Sequence, residues 1–428
     1  MTAPDRGRTL IASLNSRTVG WLTESGNVWS FQYHPDWLSA SDRYAISPAL
    51  PMGADPIVDG ASTRPVQWFF DNLLPEQGVR RLLAKEARVS DEDAWGLLAY
   101  IGAESAGALT LLPLDATPPP GGLRPLPNDE LQRRIDALPR QSLSTGAPKK
   151  MSLAGAQHKL PVCLRDGELL EPVGSESSTH ILKPDSHVDG YPHTAVNEYF
   201  CMKLAERLKL PVPRVELRHV PAPIYLVTRF DRIGTVNPVE RLHTFDGAQL
   251  LSVQSGQKYK FATAGNLAQC LGHCRTKARD RTRIFRWVVF NILIGNGDAH
   301  LKNLSFLVTS AGIELAPFYD LVSTVVYHTK EYLPEATRWP DVELSMQTGK
   351  AARFSEITRN DVIEAGVTLG LKPATARQQV DELCRHSEAE AGQLMIEVFA
   401  GGTLNAGEQR IVRMIPALPI AEMVARLR

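Results

Sequence analysis

A chain of 428 residues is about three times the usual length of one compact domain, so two or three cores are expected. With 43% apolar and 22% charged residues it lies in the ordinary globular range, which excludes a mostly disordered, collagen-like or coiled-coil protein. Its 47 basic residues balance 47 acidic ones, so no global positive field supports non-specific nucleic-acid binding.

Residues 9–33 alternate apolar and polar positions between Asn-Ser and Ser-Gly turns, which predicts a small antiparallel sheet. Helical periodicity follows over 66–72, 76–88 and 92–100, where Val79, Leu82, Leu83 and Ala87 recur on one face. The proline- and glycine-rich run 113–127 reads as a stiff linker and a boundary. Beyond it, strands are expected at 160–164, 180–183, 215–220 and 224–229, with an amphipathic helix over 196–208. From about residue 246 the chain reads as mostly helical, apart from one hairpin at 304–308 and 313–318.

The five cysteines are odd in number and scattered, which points to a reducing compartment rather than a disulfide framework. Cys270 and Cys274 lack a second ligand pair at zinc spacing and read as helix packing. No apolar run near the start suits a signal peptide and none is long enough to span a membrane, so a cytoplasmic protein is expected.

The chemistry concentrates in IGNGDAHLKN, residues 294–303, a polar turn placed between a buried helix and a strand. Asp298 and Asn303 stand five apart, the spacing at which one carboxylate can take a hydroxyl proton while an amide oxygen holds magnesium. Phe318-Tyr319-Asp320 follows the hairpin and supplies another oxygen ligand. Upstream, Lys183 closes an apolar strand and Glu198 follows on the next helix, in the order of the strand lysine and helix glutamate of kinases, where the lysine grips the phosphates. The turn around Gly155, Ala156 and Gln157, ending in His158 and Lys159, could line a phosphate with backbone amides, although it is neither a Walker motif nor GxGxxG. Each piece alone also reads as caps, turns or exposed charges; it is their chain order that points to a kinase. Arg275, Lys277, Arg279, Arg281, Arg283 and Arg286 read as a solvated helix start or as a docking patch for an acidic surface.

The blocks SLAGAQHKLPV (152–162), STHILKPD (178–185), NEYF (197–200), VTRFDR (227–232), SGQKY (255–259), IGNGDAHLKN (294–303) and PFYDL (317–321), together with DNLLPE at 71–76, resemble the HipA family, bacterial serine/threonine kinases that act as toxins. The resemblance implies an α+β, two-lobed protein-kinase-like fold, with a β-rich N-terminal subdomain at 1–115, a nucleotide-binding N-lobe at 128–245 and a mostly helical C-lobe at 246–428. It implies ATP and Mg²⁺ as cofactors, Asp298 as catalytic base, Asn303 and Asp320 as metal ligands, and Lys183 as the phosphate-binding lysine. His300, Lys302 and Tyr319 would lie beside the nucleotide, as would Gly155, Ala156, Gln157 and Lys159. Thr228, Arg229 and Phe230 match the hinge that receives adenine, though family members often carry glutamate where Thr228 stands.

Ser152 matches a serine whose autophosphorylation switches similar kinases off, a phosphate charge favouring an ejected loop. His158 stands where this motif often has an acidic residue. By the same resemblance the substrate is an aminoacyl-tRNA synthetase of glutamyl type, whose phosphorylation arrests translation and underlies persistence. The expected partner is a helix-turn-helix antitoxin of the HipB type, with DNA reached only through it. Two alternatives remain: a small-molecule kinase on the same fold, and a catalytically silent corepressor.

Overall fold

The computed structural model describes residues 7–428 except 118, 152, 153, 156, 235–238 and 336. The chain forms two compact units, one of Met1–Lys183, Thr228–Gly256 and Ser305–Glu314, the other of Pro184–Val227, Gln257–Leu304 and Leu315–Arg428. The mixed α+β class, sheet-rich toward the N-terminus and helical toward the C-terminus, is the one expected.

In the first unit, Ile57–Val58, Val28–Tyr33, Arg17–Ser25, Arg8–Leu14 and Leu109–Pro113 lie in that order as an antiparallel sheet. Period-two burial of Leu10, Ala12 and Leu14, and of Trp29, Phe31 and Tyr33, turns one face inward. Helix Pro65–Asp71 covers that face through Val66, Phe69 and Phe70. Its first N–H groups, on Val66 and Gln67, donate to the Asp59 carboxylate at 2.8 and 2.9 Å.

A second antiparallel set joins Gly122–Pro125, Glu168–Val173, Leu160–Arg165 and His180–Pro184. Gly122–Pro125 corrects the linker expectation: the proline-rich run contributes a strand, at a sheet edge where a missing N–H is tolerated. Glu168–Val173 was hidden by its inward charge. Glu171 is 1% exposed and is held by Arg134 at 2.6 Å and by Arg124.

His243–Asp246, Ser305–Thr309 and Gly312–Leu315 form a third sheet. His243 is buried there, its Nε2–H donating to the Ile46 carbonyl at 2.7 Å. Burial first, and the Arg241 charge second, push its imidazole from an ordinary 6.5 down to about 4. Between those values the unfolded chain binds the proton and the folded chain does not. Stability is therefore complete above about pH 6.5 and falls on acidification, by about 3 kcal/mol at pH 4. Urea midpoints at pH 7.5 and pH 5 should differ in that direction, and His243→Gln should flatten the difference; a variant as acid-sensitive as the native chain would remove His243 as the cause.

The second unit is built on Lys277–Leu293, whose Ile284, Phe285 and the run from Trp287 to Leu293 are all buried. Around it lie Thr194–Arg207, Ala264–Gly272, Arg359–Thr368, Pro373–Ala400, Ala406–Ile415 and Ala421–Leu427. A hairpin of Glu343–Thr348 and Ala351–Arg353 adds to the single one expected in this half. Three of the six cations in the basic run bind within this unit. Arg283 donates to the Leu315 and Ala316 carbonyls at 3.1 Å each, Arg286 binds Glu382 at 3.0 Å and the Leu208 carbonyl at 2.7 Å, and Arg279 pairs with Asp280 at 3.1 Å. Among the described residues no helix is long and apolar enough to cross a membrane, and all five cysteines are buried and free.

Candidate active site

The loop after Lys277–Leu293 is shaped by side chains that replace lost helix bonds. Asn291 donates to the Trp287 carbonyl at 2.8 Å, and its Oδ1 accepts from Asn296 Nδ2 at 2.7 Å. Gly295 turns the chain at φ +64, where an added Cβ would collide with Val325. Gly297 N–H then donates to Thr324 Oγ1 at 2.7 Å, Asp298 N–H to Asn296 Oδ1 at 2.9 Å, and Ala299 N–H to Ser345 Oγ at 3.1 Å. Asn303 Nδ2 closes the loop on the Asp298 carbonyl at 2.8 Å. The backbone of Asp298 is thus fixed on both sides while its side chain stays 44% exposed. His300, Lys302 and Asn303 are buried to 5–6% exposure.

With its amide nitrogen committed, Asn303 has Oδ1 as the end suited to a cation. Asp320 arrives on the segment after the hairpin, which is pinned at several points. Phe318 N–H donates to the Pro211 carbonyl at 2.8 Å, and Tyr319 Oη–H to the Lys302 carbonyl at 2.9 Å. Ser323 and the fully buried Asn197 exchange two hydrogen bonds of 2.9 Å. Asp320 itself sits at φ +58, a left-handed conformation uncommon outside glycine and a local strain of the kind that gathers at functional sites. Burial, and then the charges of Glu198 and Asp320, hold the Tyr225 phenol well above its usual range.

Residues singled out from sequence in the first unit lie in three places. Gly155, at φ +110, bridges Pro75 in parallel and accepts from Glu76 N–H at 3.1 Å, so the DNLLPE segment braces this turn. Lys159 Nζ donates to the Ala154 carbonyl at 2.7 Å, and Gln157 and His158 are half-buried. Lys183 ends its strand 4% exposed. Thr228 Oγ1 meets His180 Nε2 at 3.2 Å. Ser152 and Ala156 lie outside the described residues.

Arg229 departs most from its expected setting. Its guanidinium lies in a buried ion network, on Asp231 at 2.6 Å, Ser178 Oγ at 3.1 Å and Glu104 at 3.5 Å. Any contact it makes with a nucleotide must therefore come from its backbone. The Arg229 N–H is itself committed to the Thr179 carbonyl at 2.9 Å. Phe230 is half-buried.

One tyrosine without an assigned role stands at Asp298, and a second feels its charge. The Tyr259 hydroxyl donates to its Oδ1, and burial together with the Asp298 charge raises the Tyr191 phenol. Tyr259 lies in the SGQKY block, which was the only signal for it; nothing local marked Tyr191.

The donor set suits a hard cation. Asn303 and Asp320 offer oxygen, and among the described residues no group of three or more His, Cys, Asp or Glu side chains could hold a metal. A magnesium ion takes one or two protein oxygens and fills the rest of its octahedron with phosphate and water, so two ligands are enough. The second unit therefore carries the half-exposed Asp298 carboxylate on a rigid loop, with Asn303 closing that loop and Asp320 on the segment that Tyr319 ties to the Lys302 carbonyl.

Two family models match the chain, the HipA N-terminal domain over residues 10–112 and the HipA-like C-terminal domain over 151–391. A putative kinase of Sinorhizobium fredii, Y4mE, is 35% identical over 411 residues, covering 91% of this chain and 92% of its own. The serine/threonine-protein kinase toxin HipA of Shewanella oneidensis is 32% identical over 345 residues, 76% of this chain and 77% of that one. The solved structure of a Shewanella oneidensis HipA, in complex with HipB and operator DNA, superposes with a TM-score of 0.80 at 26% identity, covering 98% of this chain and 99% of that one. From its fold and from both halves of its sequence, this chain belongs to the HipA family of serine/threonine-protein kinase toxins.

Proposed function

We propose that this kinase transfers the γ-phosphoryl group of ATP, with Mg²⁺, to a seryl or threonyl hydroxyl of an aminoacyl-tRNA synthetase, of glutamyl type by family resemblance, and to its own Ser152. The observation that carries the reading is the loop 295–303, which presents a half-exposed Asp298 from a backbone hydrogen-bonded on both sides. In this reading Asp298 accepts the proton of the attacking hydroxyl, and Lys183 neutralises phosphate charge. Asn303 and Asp320 would hold the metal, which supplies charge neutralisation on the phosphates when bound. Gly155, Gln157 and Lys159 would line the phosphates, and 228–230 the adenine, through backbone atoms and Phe230. His300 and Lys302 flank the site, and Tyr319 fixes Lys302 through its carbonyl. A HipB-type antitoxin would neutralise the kinase, with operator DNA bound by that partner.

Incubation of the purified chain with [γ-³²P]ATP and glutamyl-tRNA synthetase tests this directly. Label should enter a seryl or threonyl peptide of the synthetase and Ser152, and chelation of Mg²⁺ should abolish it. Asp320→Asn should raise the Mg²⁺ needed for half-maximal transfer at least about tenfold, the scale at which loss of a metal-site carboxylate is felt. ATP consumed only on an added metabolite, with no protein labelled, would instead identify a small-molecule kinase.

A further inference from the structure

We infer that Tyr259 is a positioning residue for phosphoryl transfer, its hydroxyl holding the Asp298 carboxylate in the orientation that receives the acceptor's proton. The inference rests on the reading of Asp298 as base and adds a residue to it.

The loop fixes the main chain of Asp298 through its own N–H and C=O and through the N–H groups of Gly297 and Ala299, but none of those bonds reaches the carboxylate. A side chain 44% exposed on a rigid backbone can still turn about χ1 and χ2. Tyr259 supplies a restraint on the carboxylate itself by donating its phenolic O–H to Oδ1. A second group bears on the same oxygen, His300 Nε2 at 3.8 Å.

The tyrosine is itself aimed. Its backbone is wound into a turn in which Phe261 N–H donates to the Gln257 carbonyl at 3.2 Å and Ala262 N–H to that of Tyr259 at 2.9 Å. Its ring packs edge-on against His300 at 5.0 Å between centroids, with Lys258 Nζ 5.2 Å from the ring centre. The residue is 45% exposed. A half-exposed aromatic contributes little to the core, so the hydroxyl can be removed without unfolding the chain.

A hydrogen bond to a charged group of this kind is lost most sharply where geometry matters, at the transition state. Tyr259→Phe should therefore lower kcat about tenfold, leave the KM for ATP within about twofold and leave the thermal midpoint unchanged. The assay is initial ³²P incorporation from [γ-³²P]ATP into the proteins of a dialysed bacterial extract, against a blank without kinase. An unchanged or faster rate would overturn the inference, as would a loss of rate that follows a fall in thermal midpoint. The underlying reading fails separately: a native chain that labels nothing, or Asp298→Asn retaining full transfer, removes the base and the positioning role together. An inactive Asp298→Asn beside a fully active Tyr259→Phe removes the positioning role alone.

Discussion

Asp298→Asn is expected to cut phosphoryl transfer by roughly 10²- to 10⁴-fold, the range a positioned general base contributes. The substitution is nearly isosteric and spares what builds the loop. The N–H of residue 298 still donates to Asn296, its carbonyl still accepts from Asn303, and the neighbouring amides keep Thr324 and Ser345. Tyr259 can still donate to the amide oxygen. Only the capacity to accept a proton is lost, so ATP affinity by calorimetry and the thermal midpoint should match the native chain. Transfer within a few-fold of native would remove Asp298 as the base. A parallel loss of stability would mean that the loop, rather than the chemistry, had been damaged.

The part of this site that could be read from sequence is the part carried by one short segment. Asp298, His300, Lys302 and Asn303 stand within six residues, polar groups between an apolar helix and an apolar strand, and that contrast is visible without a structure. Asp320 was legible for the same reason, at a strand end after a hairpin. Its left-handed backbone was not, because no local pattern forces a non-glycine residue there.

The first sheet was legible because only one face is buried, which writes a period of two into residues 8–33. Glu168–Val173 broke that rule by turning a carboxylate inward, and its compensating cations come from Arg124 and Arg134 on other elements. The same physics hid the setting of Arg229 and Asp231. By family resemblance Arg229 reads as part of a nucleotide hinge that Asp231 follows, yet Glu104 and Gly107, which bind their side chains, lie more than 100 residues away along the chain. Long-range charge pairing leaves no periodicity to detect, and the basic run at 275–286 was ambiguous for the same reason.

That ion network gives the largest stability effect expected here. Glu104, wholly buried, forms an ion pair with Lys149 at 2.9 Å and accepts from Arg232 at 3.0 Å and Ser178 Oγ at 2.8 Å, and Arg229 lies at 3.5 Å. The Asp231 carboxylate accepts from Arg229 at 2.6 Å and from Gly107 N–H at 2.6 Å, and forms an ion pair with Arg232 at 3.0 Å. Arg241 completes the group through the Gly107 and Leu109 carbonyls at 3.2 and 2.9 Å. Two carboxylates thus face four buried cations. Burial alone would raise Glu104, but Lys149, Arg232 and Arg229 overcome it and hold the carboxyl well below its usual range. The cations feel the surplus, and burial followed by the Arg232 charge pushes Arg241 down to about 9.

Removing the minority sign should therefore hurt far more than removing one of the majority. Glu104→Gln is expected to cost about 3–5 kcal/mol, because it leaves buried cations without their counter-charge. Lys149→Met should cost much less: it relieves repulsion among the cations while giving up one ion pair and the bond to the Glu176 carbonyl at 2.8 Å. In the Glu104→Gln background the same lysine change should recover part of the loss, a coupling that urea midpoints of the two single variants and the double variant would measure. If Glu104→Gln lies within about 1 kcal/mol of native, water or local relaxation compensates the cations and the charge asymmetry carries no weight. If the two losses simply add, Lys149 and Glu104 act independently, and Arg229 and Arg232 alone balance the carboxylate.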